Sequence, residues 1–392
     1  MQRRTFLKGA GVLTVAVVGG GVWRAWDQGV FSTGEGPAYE PWKDWRNARD
    51  NPLALVSAAI LAASPHNTQP WLFKVSDSAV ELYIDTRRNV GALDPYLREE
   101  HIGMGCALEN LMRAAPANGY AANAALAPGT LGPIPAEPKP QLLATVQLMP
   151  GHREEDEFYK AIPLRHTNRG PYDPNKPLPA DFLKALNQLP VDAASVKLFL
   201  FSDEKDRKRI VEVSSAANRE IYSDPRVQAG TERWVRLQWS EVQRYRDGLT
   251  IDAFGLPPLA TASAKIMPRG MLLWLGSNSE RDEYSDLMLS APLIGLIAVR
   301  DRYDQQQCLL AGRTWQRLHL LATARGIAAR PCNEAVEMVD HERWLGRPAS
   351  REAMLKEIMG EASWQPTFVF YMGYATLTAH ASPRRPVPWV KL

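Results

Sequence analysis

Ser64-Pro65-His66-Asn67-Thr68-Gln69-Pro70-Trp71 and Arg165-His166-Thr167-Asn168-Arg169 are the two stretches on which the reading of this chain turns. The first is a polar turn wedged between an apolar helix-like run, Pro52 to Ala63, and the strand-like Trp71-Leu72-Phe73-Lys74-Val75. Pro65 and Pro70 stiffen it, while Asn67 and Gln69 offer donors and acceptors suited to the edge of a planar heterocycle or to a hydroxyl chain. A purely structural turn, with both amides bonded to their own backbone, is the plainer alternative. His66 is a candidate proton donor, or simply hydrogen-bonded. In the second stretch alternate side chains share a face if the backbone is extended, so Arg165, Thr167 and Arg169 form a candidate phosphate clamp. Short Arg-rich stretches are also commonly solvated or salt-bridged. A second basic pair, Arg384 and Arg385, lies in a proline-flanked C-terminal tail and could close the same phosphate or be a soluble end.

Working outward, 392 residues with 45% hydrophobic and 23% charged composition suit two domains or one enlarged by duplication. A net charge of +3, with no basic run interleaved with aromatics, argues against nucleic acid. Cys106, Cys308 and Cys332 are odd in number and widely spaced, which fits neither a zinc ribbon nor a disulfide framework. There is no His-Glu-x-x-His, P-loop, nucleophile elbow or glycine-rich dinucleotide fingerprint, so a side-chain catalytic constellation is not expected.

Residues 1–31 read as a segment outside the fold. Arg3-Arg4-Thr5-Phe6-Leu7-Lys8 resembles a twin-arginine export signal, followed by a glycine-rich apolar stretch that is short for a spanning helix. A disordered basic N-terminus is the alternative. No clean cleavage site follows, so an uncleaved signal could serve as a membrane anchor.

Residues 36–150 read as a first α/β half. It holds the Pro52–Ala63 helix, strands near 71–76 and 80–84, a helix through Met104, Leu108, Leu111, Met112 and Ala115, a proline-rich linker over 127–140, and a strand from Leu142 to Met149. Residues 151–392 repeat the order, with a helix at 180–189, strands at 196–201, 292–299 and 366–371, and a helix at 308–325. Gly105 to Gly119 matches Gly312 to Gly326 at an offset of 207 residues, whereas Trp71–Val75 matches Lys197–Phe201 at 126. The extra 81 residues therefore fall between 202 and 311, and about 220–271 is the most unusual part, a lid or a peripheral decoration. A duplicated unit in one chain behaves as a tethered dimer with an internal pseudo-twofold axis.

Taken together the two stretches resemble the nitroreductase superfamily of FMN flavoproteins, and their order and pairing are most similar to its Acg-type branch. The resemblance spans nearly all of the chain beyond the signal. It implies an α+β nitroreductase-like fold of two tandem halves forming an internal pseudo-dimer, monomeric as a whole. One FMN would lie between the halves, since Trp45-Arg46-Asn47-Ala48-Arg49 lacks the hydroxyl and Pro190–Ser195 lacks the Asn-x-Gln-Pro-Trp pattern. By that resemblance Ser64, Pro65, His66 and Asn67, with Gln69, face the flavin. Arg165, Thr167 and Arg169 bind its phosphate with Arg384 or Arg385, and the Pro331-Cys332-Asn333-Glu334 segment passes its edge. The expected activity is ping-pong electron transfer through FMN to a small organic acceptor such as a nitroaromatic or quinone. The alternative is a protein that stores FMN under a lid. No metal is implied. An exported location, periplasmic or membrane-anchored, would require a donor other than NAD(P)H, either a quinol or a redox partner.

Overall fold

The computed structural model describes residues 20–47, 51–268, 270–272 and 284–392. Two four-stranded antiparallel sheets with helices make it α+β. The first contains β1 (Trp71–Val75), β2 (Ala79–Asp85), β3 (Tyr120–Leu126) and β4 (Pro140–Pro150), in spatial order β1-β2-β4-β3. After β5 (Val196–Phe201) come the two-residue β6 (Val235–Arg236) and β7 (Leu249–Thr250), which pair with each other alone. Then β8 (Leu293–Val299), β9 (Ala328–Pro331) and β10 (Gln365–Gly373) complete a second sheet in the order β5-β8-β10-β9. By rank within its own sheet, each order is first, second, fourth, third. β8 is wholly buried, as its unbroken Leu-Ile-Gly-Leu-Ile-Ala-Val run requires of an interior strand.

In each sheet a long helix joins the second strand to the third, Arg98–Ala117 in one and Gln305–Ala324 in the other. Both are 20 residues long, and each end of the second stands 207 residues after the matching end of the first. The two helices cross where Gly105 meets Gly312. A Cβ on Gly105 would lie 2.9 Å from the Gly312 Cα and inside contact of the Leu309 carbonyl oxygen, and one on Gly312 would strike the Ile102 carbonyl oxygen. Only glycine lets the backbones approach so closely. Beside the crossing Glu109 is fully buried and bonded by Arg113 (2.8 Å), Arg313 (2.9 Å) and Arg317 (2.7 Å), which hold its carboxyl below the usual range despite burial. The core continues across both sheets around this pair.

The structure differs from the sequence reading in three places. β3 was not expected, because Tyr-Ala-Ala-Asn-Ala-Ala-Leu is alanine-rich and lacks the β-branched residues that mark strands; it is held by its register with β4. The helix read over Pro52–Ala63 stops at Ala59, with Asn51 Oδ1 accepting from the Leu53 N–H at its start. Of residues 1–31, Arg3, Arg4 and the apolar stretch to residue 19 lie outside the described residues, but Gly20–Asp27 is a helix docked on Pro258–Ile266. Arg24 Nε donates to the Ile266 carbonyl at 2.8 Å, and Lys265 Nζ donates to the Gly29 carbonyl at 2.9 Å while pairing with Asp252 at 2.8 Å. The boundary at 31 therefore moves toward the N-terminus.

Where the first sheet joins β1 to β2 by a short turn, the second inserts the whole stretch from residue 202 to 292 between β5 and β8. Helices Glu204–Ile221, Pro225–Glu232, Trp239–Tyr245 and Pro258–Ile266 lie in it.

A candidate anion site between two segments

The Ser64–Pro70 turn is built under backbone strain. His66 (φ 46°), Asn67 (φ 56°) and Gln69 (φ 51°) all occupy the left-handed region, three non-glycine residues within four positions. Each such residue costs on the order of 1 kcal/mol or more and persists only where its surroundings over-determine it. Here they do. The Asn67 N–H donates to the Ser64 carbonyl, the Gln69 N–H donates to Ser64 Oγ at 3.0 Å, and Pro65 lies against Gly103 of the long helix.

The amides of Asn67 and Gln69 bond neither their own backbone nor an open cleft. Asn67 Nδ2 donates to the carbonyls of Gly248 (3.1 Å) and Pro383 (2.9 Å), and its Oδ1 accepts from Arg384 Nη1 at 2.8 Å. Gln69 Nε2 donates to the Arg246 carbonyl at 2.8 Å, and its Oε1 accepts the Arg385 N–H at 2.8 Å. The turn thus fastens the insertion and the C-terminal tail to the first sheet. Behind it Arg88 and Arg236 pair with buried Asp247, fixing the same loop.

The tail explains how Arg384 arrives. Its last residues run along the outer edge of β1, where Phe73 bonds Val390 and Leu392. Arg384 donates its backbone N–H to the Ala38 carbonyl, and its guanidinium is buried. Arg384 Nη2 donates to the carbonyls of Ala62 (3.0 Å) and Leu61 (3.4 Å); Arg165 Nη2 donates to the same Leu61 carbonyl at 3.1 Å. These carbonyls lie just beyond the helix that stops at Ala59, where backbone acceptors lack helical partners. Two guanidiniums from distant parts of the chain thus converge on one point.

Their electrostatics are unusual. Arg165 is 2% and Arg384 3% exposed, and neither has a carboxylate partner among the described residues. Burial pushes Arg165 down to about 10, and burial with Arg165 alongside pushes Arg384 well below the ordinary arginine range. Among the described residues Nε of each, and Nδ1 of His166, have no hydrogen-bond partner. His166 is pushed down to about 3 by burial and then by Arg165 and Arg384, and His319 is lowered by burial and by Arg165. Arg165 Nη1 faces His319 Nδ1 at 3.4 Å, so that nitrogen accepts and Nε2–H faces the His166 carbonyl at 3.3 Å. Trp42 closes the cluster, edge-on to His166 with centroids 4.8 Å apart and 4.7 Å from the Arg384 guanidinium. Buried positive groups with spare N–H donors and no counter-charge among the described residues make a candidate anion site.

The other residues singled out in the sequence fall around this point. Arg385 turns away, donating to the carbonyls of Gln69 and Trp389. Arg169 Nη1 reaches the Ala253 carbonyl of the insertion at 3.3 Å and stands near enough to His66 to reinforce the burial that lowers its pKa to about 4. Thr167 bridges Ala329 of β9 through backbone, bringing Pro331 into the neighbourhood of the Arg165–Arg169 segment. The Asn333 side chain accepts from the Val369 N–H and the Cys332 N–H donates to the Val369 carbonyl, so both are engaged with β10. Sequence reasoning passed over Trp42, the Leu61 and Ala62 carbonyls, and His319. The last had a signal, a histidine inside the apolar stripe of a buried helix face.

Where the Trp45–Arg49 segment lacks the hydroxyl of a phosphate clamp, Trp45 packs on Tyr159 with centroids 4.9 Å apart, and Arg46 lies over both rings. Aromatic side chains fill that place; Arg49 lies outside the described residues.

One neighbour of the turn carries a pH test. Glu100 is fully buried, accepts from Thr68 Oγ1 at 2.9 Å, and is raised well above its ordinary value by burial and then by Asp94. An unfolded carboxyl ionises near 4.5, so unfolding releases this proton at higher pH and stability falls as pH rises above that value. Glu100→Gln keeps the acceptor and removes that penalty. Its melting temperature should exceed that of the parent by about 2–4 °C at pH 8 and match it near pH 4.5. An equal difference at both values would show that Glu100 is ionised in the fold.

Comparisons with known proteins give the following. No family model matches the chain. A Mycobacterium tuberculosis protein provisionally named an NAD(P)H nitroreductase is 24% identical over 338 residues, covering 85% of this chain and 87% of the relative. The protein provisionally named NAD(P)H nitroreductase acg, from the same organism, is 30% identical over 155 residues, 38% of this chain and 43% of the relative. Among solved structures, the FMN-dependent nitroreductase NfnB of Mycobacterium smegmatis in complex with NADPH aligns with TM-score 0.35 and 18% identity, over 59% of this chain and 96% of that one. The chain is thus similar in sequence, over most of its length, to one mycobacterial protein provisionally named as a nitroreductase, and over 38% of its length to another.

Proposed function

We propose that this protein is an FMN-dependent oxidoreductase of the nitroreductase type, holding one FMN between its two halves. The observation that carries the reading is the pair of buried guanidiniums, Arg165 and Arg384, with spare donors and no carboxylate among the described residues. A phosphate would satisfy them, and the names of the sequence relatives support an oxidoreductase of the nitroreductase type. Arg165 and Arg384, with His166 beside them, would hold the phosphate, and the strained Ser64-Pro65-His66 arc would border the ring system. Bound FMN would supply two-electron chemistry suited to a small electron-poor organic acceptor such as a nitroaromatic or quinone.

What the chain's own residues do is positional. The Asn67 and Gln69 amides hold the insertion and tail over the site, and Trp42 shields the cationic cluster from water. Neutral His319 keeps Arg165 aimed at the Leu61 carbonyl. Exclusion of water strengthens each charge–phosphate contact. The reading includes export by the twin-arginine route and a monomer acting as an internal pseudo-dimer, with a quinol or redox partner as donor.

A second reading has one observation in its favour: residues 246–248 of the insertion sit on the turn through the Asn67 and Gln69 bonds. A closed cover suits FMN storage. The absorbance spectrum of the purified protein, with mass spectrometry of the heat-released compound, tests the cofactor. Anaerobic mixing with NADPH or a reduced quinone analogue then separates enzyme from store. Flavin bleaching by a donor, with reoxidation by a nitroaromatic or quinone, is expected; resistance to all donors would favour storage. A preparation that stays colourless when offered FMN would end both readings.

A further inference from the structure

The N-terminal helix presents an apolar surface for which the fold has no use. Trp23 and Trp26, three residues apart on Gly20–Asp27 and so on one side of it, are 66% and 72% exposed, and Phe31 in the following turn is 71% exposed. Leu259 and Met271, on and just after the Pro258–Ile266 helix that packs against it, are exposed as well. Isolated exposed apolar side chains are ordinary, but three large ones on two packed helices, with Phe31 and Met271 in the segments that follow those helices, are not. The helix is anchored rather than loose, through the Arg24–Ile266 bond and the Lys265–Gly29–Asp252 cluster.

Its occupant is indicated by what leads into it. Residues 9–23 carry no charged side chain and run Gly-Ala-Gly-Val-Leu-Thr-Val-Ala-Val-Val-Gly-Gly-Gly-Val-Trp, straight into the exposed tryptophans. A tryptophan at the end of an uncharged stretch, followed at once by Arg24 and then by Trp26, is the composition of a water–bilayer boundary. Among the described residues no helix is long and apolar enough to cross a membrane, and exposed aromatic side chains on a docked helix suit a contact at the water–bilayer interface.

We propose that Trp23, Trp26 and Phe31, with Leu259 and Met271 beside them, form a membrane-docking face of the folded protein. The face is fastened to the insertion over the anion site. Lys265 pairs with Asp252, and the adjacent Ala253 carbonyl takes Arg169. Lipid-dissolved compounds would therefore be presented on the side of the molecule where the insertion covers the site. The docking surface stands independently of whether FMN binds.

The test is flotation of the purified full chain with vesicles of phosphatidylcholine and phosphatidylglycerol. Trp23→Ser/Trp26→Ser/Phe31→Ser should lower the partition coefficient at least about tenfold, since burying even one such side chain is worth more than a decade. Its melting temperature should be unchanged, the side chains being exposed. Trp26→Ser alone should give a smaller loss, and Leu142→Ser/Met149→Ser, which removes two exposed apolar side chains elsewhere, none. Val15→Asp/Val17→Asp interrupts the upstream stretch and should leave part of the binding. Loss of all binding in that variant, with none in the triple variant, would overturn the proposal. So would a lipid-free dimer seen by light scattering that the triple variant dissociates, because the face would then belong to a second copy.

Discussion

Arg165→Met is expected to yield a protein that folds at least as well as the parent and binds FMN about a hundredfold less tightly, a loss of about 2.7 kcal/mol. The two halves of this expectation have one cause. The guanidinium is 2% exposed, donates to only the Leu61 carbonyl and His319, leaves Nε unpaired, and has no carboxylate among the described residues. Replacing even a buried ion pair by well-packed apolar side chains is often neutral or stabilising by roughly 1–4 kcal/mol, and an unpaired buried charge has no partner attraction to lose. A charge-assisted contact to a phosphate, by contrast, contributes about 1.5–3 kcal/mol and is lost with the charge. Thermal melts of apoprotein and fluorescence titration with FMN read the two effects separately. Arg384→Met should move both quantities the same way, although it also loses the Asn67 bond and so gains less stability. Arg385→Met should leave FMN affinity nearly unchanged, because that guanidinium faces Gln69 and Trp389. Unaltered affinity in Arg165→Met would remove the anion site from the account.

The largest stability effect belongs to Gly312→Ala. A single methyl there would drive into the Ile102 carbonyl oxygen, and backbone in a buried helix cannot yield as a side-chain tip can. The two long helices would have to separate, disturbing the shared core and the Glu109 cluster of three arginines. The expected loss exceeds about 4 kcal/mol, most of the stability of a chain at the low end of the ordinary range of roughly 5–15 kcal/mol. Urea unfolding or soluble yield would show it. Gly326→Ala is the comparison: its φ is +69° with open space around it, so only the left-handed backbone cost of about 1 kcal/mol applies. Similar losses in the two variants would mean that the helices do not cross as described.

Much of the scaffold was legible because it rests on local periodicity. Buried helices and interior strands announce themselves through apolar spacing, and the 207-residue offset between two glycine-marked segments is matched by two equal helices crossing at those glycines. β3 was illegible because alanines carry no strand preference, and cross-strand pairing supplied what the residues did not. The segment before residue 31 looked dispensable because nothing local reveals a lysine 236 residues away that bonds it.

A rigid polar turn at Ser64–Trp71 and a concentration of cationic donors at Arg165–Arg169 were readable from residue order alone, since both follow from residue chemistry at short range. Only the tertiary structure decided which arginines are stripped of counter-charge. It separated Arg384 from Arg385, set Arg165 against His319, and turned the amides of Asn67 and Gln69 into fasteners for the insertion and tail. The physical reason is that desolvation and the absence of a nearby carboxylate depend on everything packed around a group, including chain hundreds of residues away, and no local pattern encodes that.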